Sequence, residues 1–161
     1  MLSPEQIISL LDLKPHPLEG GFFAETYRSA SPAPDGHRSL ATAIYYLLRP
    51  GQVSAMHRLA SDEIFHFYAG DPVELLLLFA HGDARRVTLG NDLEAGHRPQ
   101  VVVPAGAWQG SAIAAGGKVA LLGTTVSPGF TPADFELGDI EALARDWPTV
   151  ADAIRARALR R

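Results

Sequence analysis

Two side chains capable of acid–base or metal chemistry lie close together in the middle of the chain: His57 and Glu63. A neutral imidazole exchanges protons near pH 7, and a positioned carboxylate acts as a general base or acid. Imidazole and carboxylate groups are also ligands for divalent metals. His57 and Glu63 are therefore the candidate catalytic residues.

The segment that carries Glu63 is predicted to be a β-strand, and this fixes where its side chains point. Side chains alternate between the two faces of a strand. If Glu63 points inward, Phe65 and Phe67 point inward with it. Asp62 and His66 then face the other way. We therefore expect no Asp62–Glu63 acid–base pair, and we expect His66 at a surface or an interface.

The composition is that of a folded, mildly acidic domain. The chain has 161 residues, of which 47% are hydrophobic and 20% charged, and this fits one domain over residues 1–161. It has 14 Lys and Arg against 18 Asp and Glu, a net charge of −4 that argues against binding to nucleic acid. The absence of cysteine excludes disulfides and thiolate chemistry. We see no signal peptide or membrane span, so we predict a cytoplasmic protein without a membrane partner.

Short segments with strand-like composition fill the middle of the chain, separated by Gly, Pro, Asn and Asp. Many short strands favour a sandwich or a barrel, whereas a parallel α/β sheet would need long crossover helices for which there is no room between residues 41 and 126. We place the barrel core at residues 19–137. The predicted strands cover residues 22–28, 41–48, 63–68, 73–79, 85–89, 101–103, 111–114 and 119–126.

Helical patterns flank this β region on both sides. Ser3 is a predicted N-cap with Pro4 at the first helical position, and apolar residues follow at helical spacing. At the other end, Ala151, Ile154 and Ala158 share a predicted helix face. We expect the basic residues beside them to be solvated: Arg155, Arg157, Arg160 and Arg161.

Several blocks of the sequence resemble the cupin superfamily. Its first motif has the form G-x5-H-x-H-x3,4-E-x6-G, and its second contains P-x-G-x2-H. The matching residues are Gly51, His57, Glu63, Gly70, Pro104 and Gly106. Further blocks are similar to one cupin family of unknown function, the fifth cupin grouping: residues 19–29, 41–48, 56–58, 61–63, 108–110 and 127–130.

The resemblance implies a mainly β fold, the double-stranded β-helix or jelly roll, with a short N-terminal helix and a C-terminal helix. It implies a homodimer as well, and a relation in fold to dTDP-4-dehydrorhamnose 3,5-epimerase-like proteins. It implies no established reaction.

The chain departs from the cupin metal-ligand pattern at two positions. Leu59 stands where the first motif has its second His, and Gln109 stands where the second motif has its His. Two strong ligands are few for Zn²⁺ or Fe²⁺, so these residues alone assign no metal, although water could complete a labile divalent-metal site. If a divalent metal does bind, the resemblance assigns it to His57, Glu63 and Gln109.

In a jelly roll these residues would surround a small-molecule cavity. We expect Gln109 and Trp108 to reach it from the facing sheet, with Phe65 and Phe67 as its walls. Aromatic faces of this kind suit sugar rings or bases. Further candidate binding residues at the mouth are Tyr27, Arg28 and Tyr45. A carboxylate inside a barrel needs either a partner or a raised pKa, and the candidate partners of Glu63 are Arg28 and His57.

Three functions are compatible with this cavity. One is metal-independent isomerisation of a sugar or nucleotide-sugar. For this function the resemblance to the epimerase-like proteins implies His57 as base and one of four tyrosines (Tyr27, Tyr45, Tyr46 or Tyr68) as acid. The second is a non-catalytic module that binds a small molecule. The third is a metal-dependent cupin enzyme, an oxygenase or an isomerase. The fold alone does not choose between them.

Overall fold

A computed structural model describes residues 2–159 as two antiparallel β-sheets with short helices at both ends of the chain. The strands are β1 (Lys14–Pro15), β2 (Phe22–Arg28), β3 (Thr42–Leu48), β4 (Val53–Leu59), β5 (Asp62–Gly70), β6 (Val73–Leu78), β7 (Ala84–Leu89), β8 (Gln100–Val103), β9 (Trp108–Ile113), β10 (Ala120–Ser127) and β11 (Phe135–Leu137). The helices are α1 (Pro4–Leu10), α2 (Ile140–Asp146) and α3 (Ala151–Arg155).

The strand order identifies a jelly roll. One sheet has the order β1-β2-β3-β10-β5-β8, and the other has the order β11-β4-β9-β6-β7. Strands distant in sequence therefore lie side by side, and the inner faces of the two sheets enclose a common interior. The predicted mainly β jelly roll with short terminal helices is confirmed.

The interior has an apolar half and a half that holds a cavity. On β5, Phe65 joins the main apolar cluster while Glu63 faces the cavity. On β10, Leu122 joins the cluster and Thr124 faces the cavity. Because side chains two residues apart share a face, each of these strands contributes first to one half of the barrel and then to the other.

Helices cover part of the outer face of each sheet. Helix α1 begins with a capping box, in which Ser3 and Gln6 satisfy each other's backbone N–H groups, and its buried Ile7 packs on the first sheet. Helices α2 and α3 pack on the second sheet through Leu143 and Ile154. Each helix among residues 2–159 is too short or too polar to cross a lipid bilayer.

One of the arginines expected to be solvated is buried instead. Arg157 is 4% exposed, and its guanidinium donates hydrogen bonds to the carbonyl oxygens of Gly110, Ala153 and Glu74. A basic residue near a chain end is usually solvated, but three carbonyl acceptors compensate the desolvation of this one. Arg155 is half-exposed, as expected, whereas Arg160 and Arg161 lie outside the described residues.

Strand β4, which carries His57, was not predicted. The pairing of β4 with β9 shifts register between Ser54 and His57, so β4 holds one extra residue there. All four residues from Ser54 to His57 are consequently buried. This bulge removes the alternation on which strand prediction depends.

Candidate functional site

A cavity of about 190 Å³ opens into the barrel between the two sheets. Seven of its fifteen lining residues are apolar, and the other eight contribute two imidazoles, three carboxyl groups, one guanidinium and two hydroxyls. The lining residues are His16, Glu19, Phe23, Glu25, Arg28, Thr42, Ile44, His57, Leu59, Glu63, Thr124, Val126, Phe130, Pro132 and Phe135.

His57 is held in one orientation and one tautomer. Its Nδ1 lies 2.8 Å from the carbonyl oxygen of Ala55. Since a carbonyl oxygen only accepts, Nδ1 carries the hydrogen and donates it. Its ring stacks on Phe135 with centroids 5.0 Å apart and planes 15° apart. Nε2 of His57 therefore carries no hydrogen in the neutral ring and can accept a proton from another group.

That other group is Glu19. Its Oε2 lies 3.1 Å from Nε2 of His57, and both side chains are largely shielded from solvent. The chain reaches this position through a turn in which Gly20 and Gly21 both have positive φ. A Cβ on Gly21 would lie 2.7 Å from the hydroxyl oxygen of Tyr46, so the turn requires glycine on steric as well as conformational grounds.

Glu19 and His57 are close enough to share a proton. Burial raises the pKa of Glu19 and lowers the pKa of His57, so both groups are driven toward their neutral forms. In the neutral arrangement Glu19 donates its proton to Nε2. A shift of that proton along the hydrogen bond gives a carboxylate and an imidazolium without any change in total charge.

Glu63 is the second buried acid, and its partner comes from the opposite sheet. Nε2 of Gln109 donates to Oε2 of Glu63 over 2.7 Å, which ties β9 to β5 across the interior. Burial raises the pKa of Glu63, nearby Glu19 raises it further, and His57, Thr124 and Gln109 oppose the shift. The raised pKa is one of the two outcomes expected for a carboxylate inside the barrel, whereas neither Arg28 nor His57 hydrogen-bonds to Glu63, and His57 acts on it through charge. Arg28 is already bound to Glu25, and Nε2 of His57 to Glu19.

A bulge in β2 brings Arg28 to the cavity and turns Tyr27 away from it. Glu25 pairs with Ile44, Tyr27 with Ala43 and Arg28 with Thr42, so the extra residue is Thr26. The bulge reverses the alternation after Glu25. Arg28 consequently lines the cavity, while Tyr27 is 55% exposed on the outer face.

The guanidinium of Arg28 is already paired at the cavity mouth. It donates to both oxygens of Glu25 over 2.9 and 2.7 Å, and to the carbonyl oxygen of Phe130 over 3.2 Å. This bidentate geometry neutralises both charges. The mouth therefore presents an ion pair to an incoming ligand.

Four other predicted binding residues lie elsewhere. Phe65 and Phe67 point into the barrel as the alternation requires, but they belong to its apolar half. Trp108 precedes inward-facing Gln109, so it faces outward against α2 and α3, where the guanidinium of Arg58 lies 4.6 Å from its ring centroid. Tyr45 likewise faces outward, into the cluster beneath α1.

His66 lies outside the cavity, on the outer face of the first sheet. Its Nε2 is 3.1 Å from the hydroxyl of Thr125, and its ring stacks on Tyr68. The strand alternation that places Glu63 inside places His66 here.

Two cavity residues, His16 and Glu19, were not identified from the sequence. Both lie between strands, where no periodicity indicates direction. The available signal was the pair Gly20 and Gly21 directly after an acidic residue, because consecutive positive-φ glycines mark a close backbone approach.

The donor set does not fit a resident metal ion. No group of three or more His, Cys, Asp or Glu within residues 2–159 is arranged to hold one. Nε2 of His57, the nitrogen that a metal would need, is engaged by Glu19. Gln109 adds only a neutral amide oxygen, which is left without a hydrogen-bond partner among the described residues.

Comparisons with solved structures place this geometry in a known fold. A protein from Shewanella oneidensis matches with 40% identity and a TM-score of 0.91, with both chains fully covered. A hypothetical protein from Leishmania major matches with 36% identity and a TM-score of 0.87, covering 99% of this chain and all of that one. No curated protein matches the sequence.

More distant likeness extends to oxalate decarboxylase from Bacillus subtilis, at 13% identity and a TM-score of 0.57, covering 89% of this chain and 37% of that one. This similarity concerns the fold alone. Residues 5–138 match the family model described as cupin superfamily (DUF985). The chain belongs to this cupin family.

Proposed function

We propose that the chain binds a small polar molecule, of monosaccharide size or smaller, in the barrel cavity and isomerises it by proton transfer without a metal. The observation that carries this proposal is the buried Glu19–His57 pair facing the same cavity as Glu63. Groups whose environments shift their pKa values are frequent at catalytic sites.

The size of the cavity limits the ligand. A cavity of about 150 Å³ accommodates benzene, and this one measures about 190 Å³. A compound of monosaccharide size or smaller fits, whereas the nucleotide part of a nucleotide-sugar would have to remain outside the mouth.

The chemistry follows from two proton-exchanging groups in one cavity. Glu63, with its raised pKa, is suited to take a proton from a carbon atom of the ligand. The Glu19–His57 pair is suited to return its shared proton at a neighbouring atom. One C–H bond breaks and one new bond to hydrogen forms. Glu63 then releases its proton to solvent and the Glu19–His57 pair takes one up, so the sum is an isomerisation that consumes no other reactant.

The test is solvent exchange in the full-length protein. Small neutral sugars and hydroxycarbonyl compounds are incubated in D₂O, and deuterium incorporation at carbon is followed by NMR. We expect exchange with the unmodified chain and exchange at least about 100-fold slower with His57→Gln or Glu63→Gln. Glu94→Gln, an exposed loop carboxylate, is the matched control and should exchange at the unmodified rate.

Two results would separate the competing functions. Saturable binding without deuterium incorporation would make the chain a ligand-binding module. Neither binding nor exchange with any compound would refute the proposal altogether.

A metal-dependent enzyme is the remaining alternative, and metal content decides it. We expect less than about a tenth of an equivalent of any transition metal in protein purified without chelator, because few strong ligands converge in the cavity. One equivalent of bound metal, together with loss of deuterium exchange on chelation, would show instead that the chain is a metal-dependent enzyme.

We also propose that the chain pairs with a second copy through the outer face of the first sheet. The strand registers align five outward side chains across that sheet: Tyr27, Ala43, Thr125, Ile64 and Val102. Tyr27 is 55% exposed and Val102 is 54% exposed. Exposed apolar side chains aligned on a sheet face are typical of a protein–protein interface.

A further inference from the structure

The two imidazoles of the cavity are held in opposite tautomers by the backbone. Nδ1 of His57 donates to the carbonyl oxygen of Ala55, so its Nε2 is the acceptor nitrogen. Nδ1 of His16 accepts from the backbone N–H groups of Leu18 and Glu19, at 3.3 and 3.2 Å. Two N–H groups aimed at Nδ1 leave the hydrogen of a neutral ring on Nε2.

His16 therefore brings a hydrogen-bond donor to the cavity wall. The residue lines the cavity, and no hydrogen bond among residues 2–159 uses its Nε2. Its ring is fixed edge-on to Phe23, with centroids 4.7 Å apart. Burial lowers the pKa of His16, so the ring stays neutral at neutral pH and keeps this single donor.

The charges around the cavity cancel within pairs. Arg28 is neutralised by Glu25, and Glu19 shares one proton with His57. No lining residue offers a cation that lacks a partner, and Glu63 adds a carboxyl group. An anionic ligand would therefore be desolvated without compensation, whereas a neutral ligand would not.

We infer that His16 binds the carbonyl oxygen of an uncharged hydroxycarbonyl compound through its Nε2–H, and that this contact selects the ligand of the site. The inference rests on the proposed function. When a proton leaves the carbon next to a carbonyl, negative charge develops on the oxygen, and a fixed donor at that oxygen stabilises it. A neutral imidazole can serve as this donor.

The first test needs no ligand. Imidazole nitrogen resonances of the full chain, measured at neutral pH by two-bond ¹H–¹⁵N correlation, report which nitrogen carries the hydrogen. We expect Nε2–H in His16 and Nδ1–H in His57. The Nδ1–H tautomer in His16 would overturn the inference.

The second test uses three probes of matched size: dihydroxyacetone, glycerol and glycerate. We expect dihydroxyacetone to bind and to shift the Nε2 resonance of His16, glycerol to bind about 3- to 10-fold more weakly, and glycerate not to bind. Equal affinity for dihydroxyacetone and glycerol, or tighter binding of glycerate, would contradict the inference.

Matched variants separate recognition from folding. His16→Asn keeps a side-chain oxygen that can accept from the N–H groups of Leu18 and Glu19, but it removes the donor at the cavity. We expect it to reduce dihydroxyacetone binding to the level of glycerol while its thermal midpoint stays within a few degrees of the unmodified chain. His66→Asn, an imidazole outside the cavity, should leave binding unchanged.

The outcomes distinguish the two proposals. If dihydroxyacetone binds equally well to His16→Asn and to the unmodified chain, the role of His16 is refuted and the proposed function stands. If none of the three probes binds at 100-fold excess over the protein, both are refuted.

Discussion

Glu63 occupies a position where a negative charge is unfavourable, and its single strong donor comes from an amide. A carboxyl group that hydrogen-bonds to Gln109 keeps that bond whether or not it is ionised, because either oxygen accepts from Nε2. Ionisation therefore costs mainly desolvation and repulsion from Glu19. The ionisation of Glu63 should therefore change the free energy of unfolding as a function of pH.

We predict that Glu63→Gln flattens the fall in stability above pH 4.5, the ordinary pKa of this group. With a raised pKa the folded state retains a proton that the unfolded chain has lost, so the free energy of unfolding decreases as pH rises toward the folded pKa. The variant lacks this proton, and its stability relative to the unmodified chain should increase over that range. Urea unfolding from pH 4.5 to 8 measures it.

The control for this experiment is Glu94→Gln, whose site is exposed. Burial lowers the pKa of His57, so this residue contributes stability that is lost as pH falls. Its contribution is unchanged in Glu94→Gln. Glu63→Gln removes a charge that raises the pKa of His57, which alters the pH profile in the same direction as the loss of Glu63 itself. Parallel pH profiles for Glu63→Gln and the unmodified chain would show that Glu63 titrates normally.

At the scale of elements, two bulges decide which side chains reach the cavity. Thr26 in β2 turns Arg28 inward, and the extra residue between Ser54 and His57 in β4 buries four residues in a row. The first part of β5, which alternates regularly as far as Phe67, has Glu63 and His66 on the predicted faces. The sequence thus predicts side-chain direction where the period of two persists and fails where one extra residue interrupts it.

Two cavity residues that the sequence did not predict, His16 and Glu19, lie in the loop between β1 and β2. Glu19 enters the site through its Gly20–Gly21 turn, and His16 through backbone contacts to Leu18 and Glu19. Neither position belongs to a periodic pattern. Their placement depends on the packing of a loop against β3 and β4, which is a tertiary contact without a local signal.

We predict that Arg157→Met destabilises the chain by about 2–4 kcal/mol, because it leaves buried carbonyl oxygens of β6 and β9 without their donors. These bonds connect the end of α3 to the second sheet. Denaturant unfolding gives the value.

Arg155→Met provides the comparison, since the partner of Arg155 is the half-exposed Glu141. Loss of such a surface pair should cost less than about 1 kcal/mol. Equal losses in the two variants would mean that the carbonyl contacts of Arg157 contribute no more than an ordinary surface charge.

At the scale of the whole molecule, the helices leave one large surface uncovered. Helix α1 packs over the end of the first sheet that contains Leu47 and Val119, and no helix within residues 2–159 covers the row from Tyr27 to Val102. The exposed apolar side chains at this face favour pairing of two copies.

We predict that the chain sediments as a dimer and that Val102→Glu shifts it toward the monomer. A charge buried in an apolar interface lacks a partner and should weaken association at least about tenfold. Leu93→Glu, an equally exposed apolar residue in a loop, should have no effect. Sedimentation equilibrium of the three proteins over a range of concentrations decides the matter, and a monomeric unmodified chain would refute the proposed interface.

The bond between Gln109 and Glu63 marks the boundary inside the barrel: apolar packing on one side, an open chamber on the other. Folding stability is concentrated on the packed side, where Phe65, Leu75 and Leu122 interlock. Substitutions that reshape the chamber therefore leave most of the folding free energy untouched. A barrel divided in this way can change what it holds while it stays assembled, and this makes it a promising scaffold for engineering a new ligand preference.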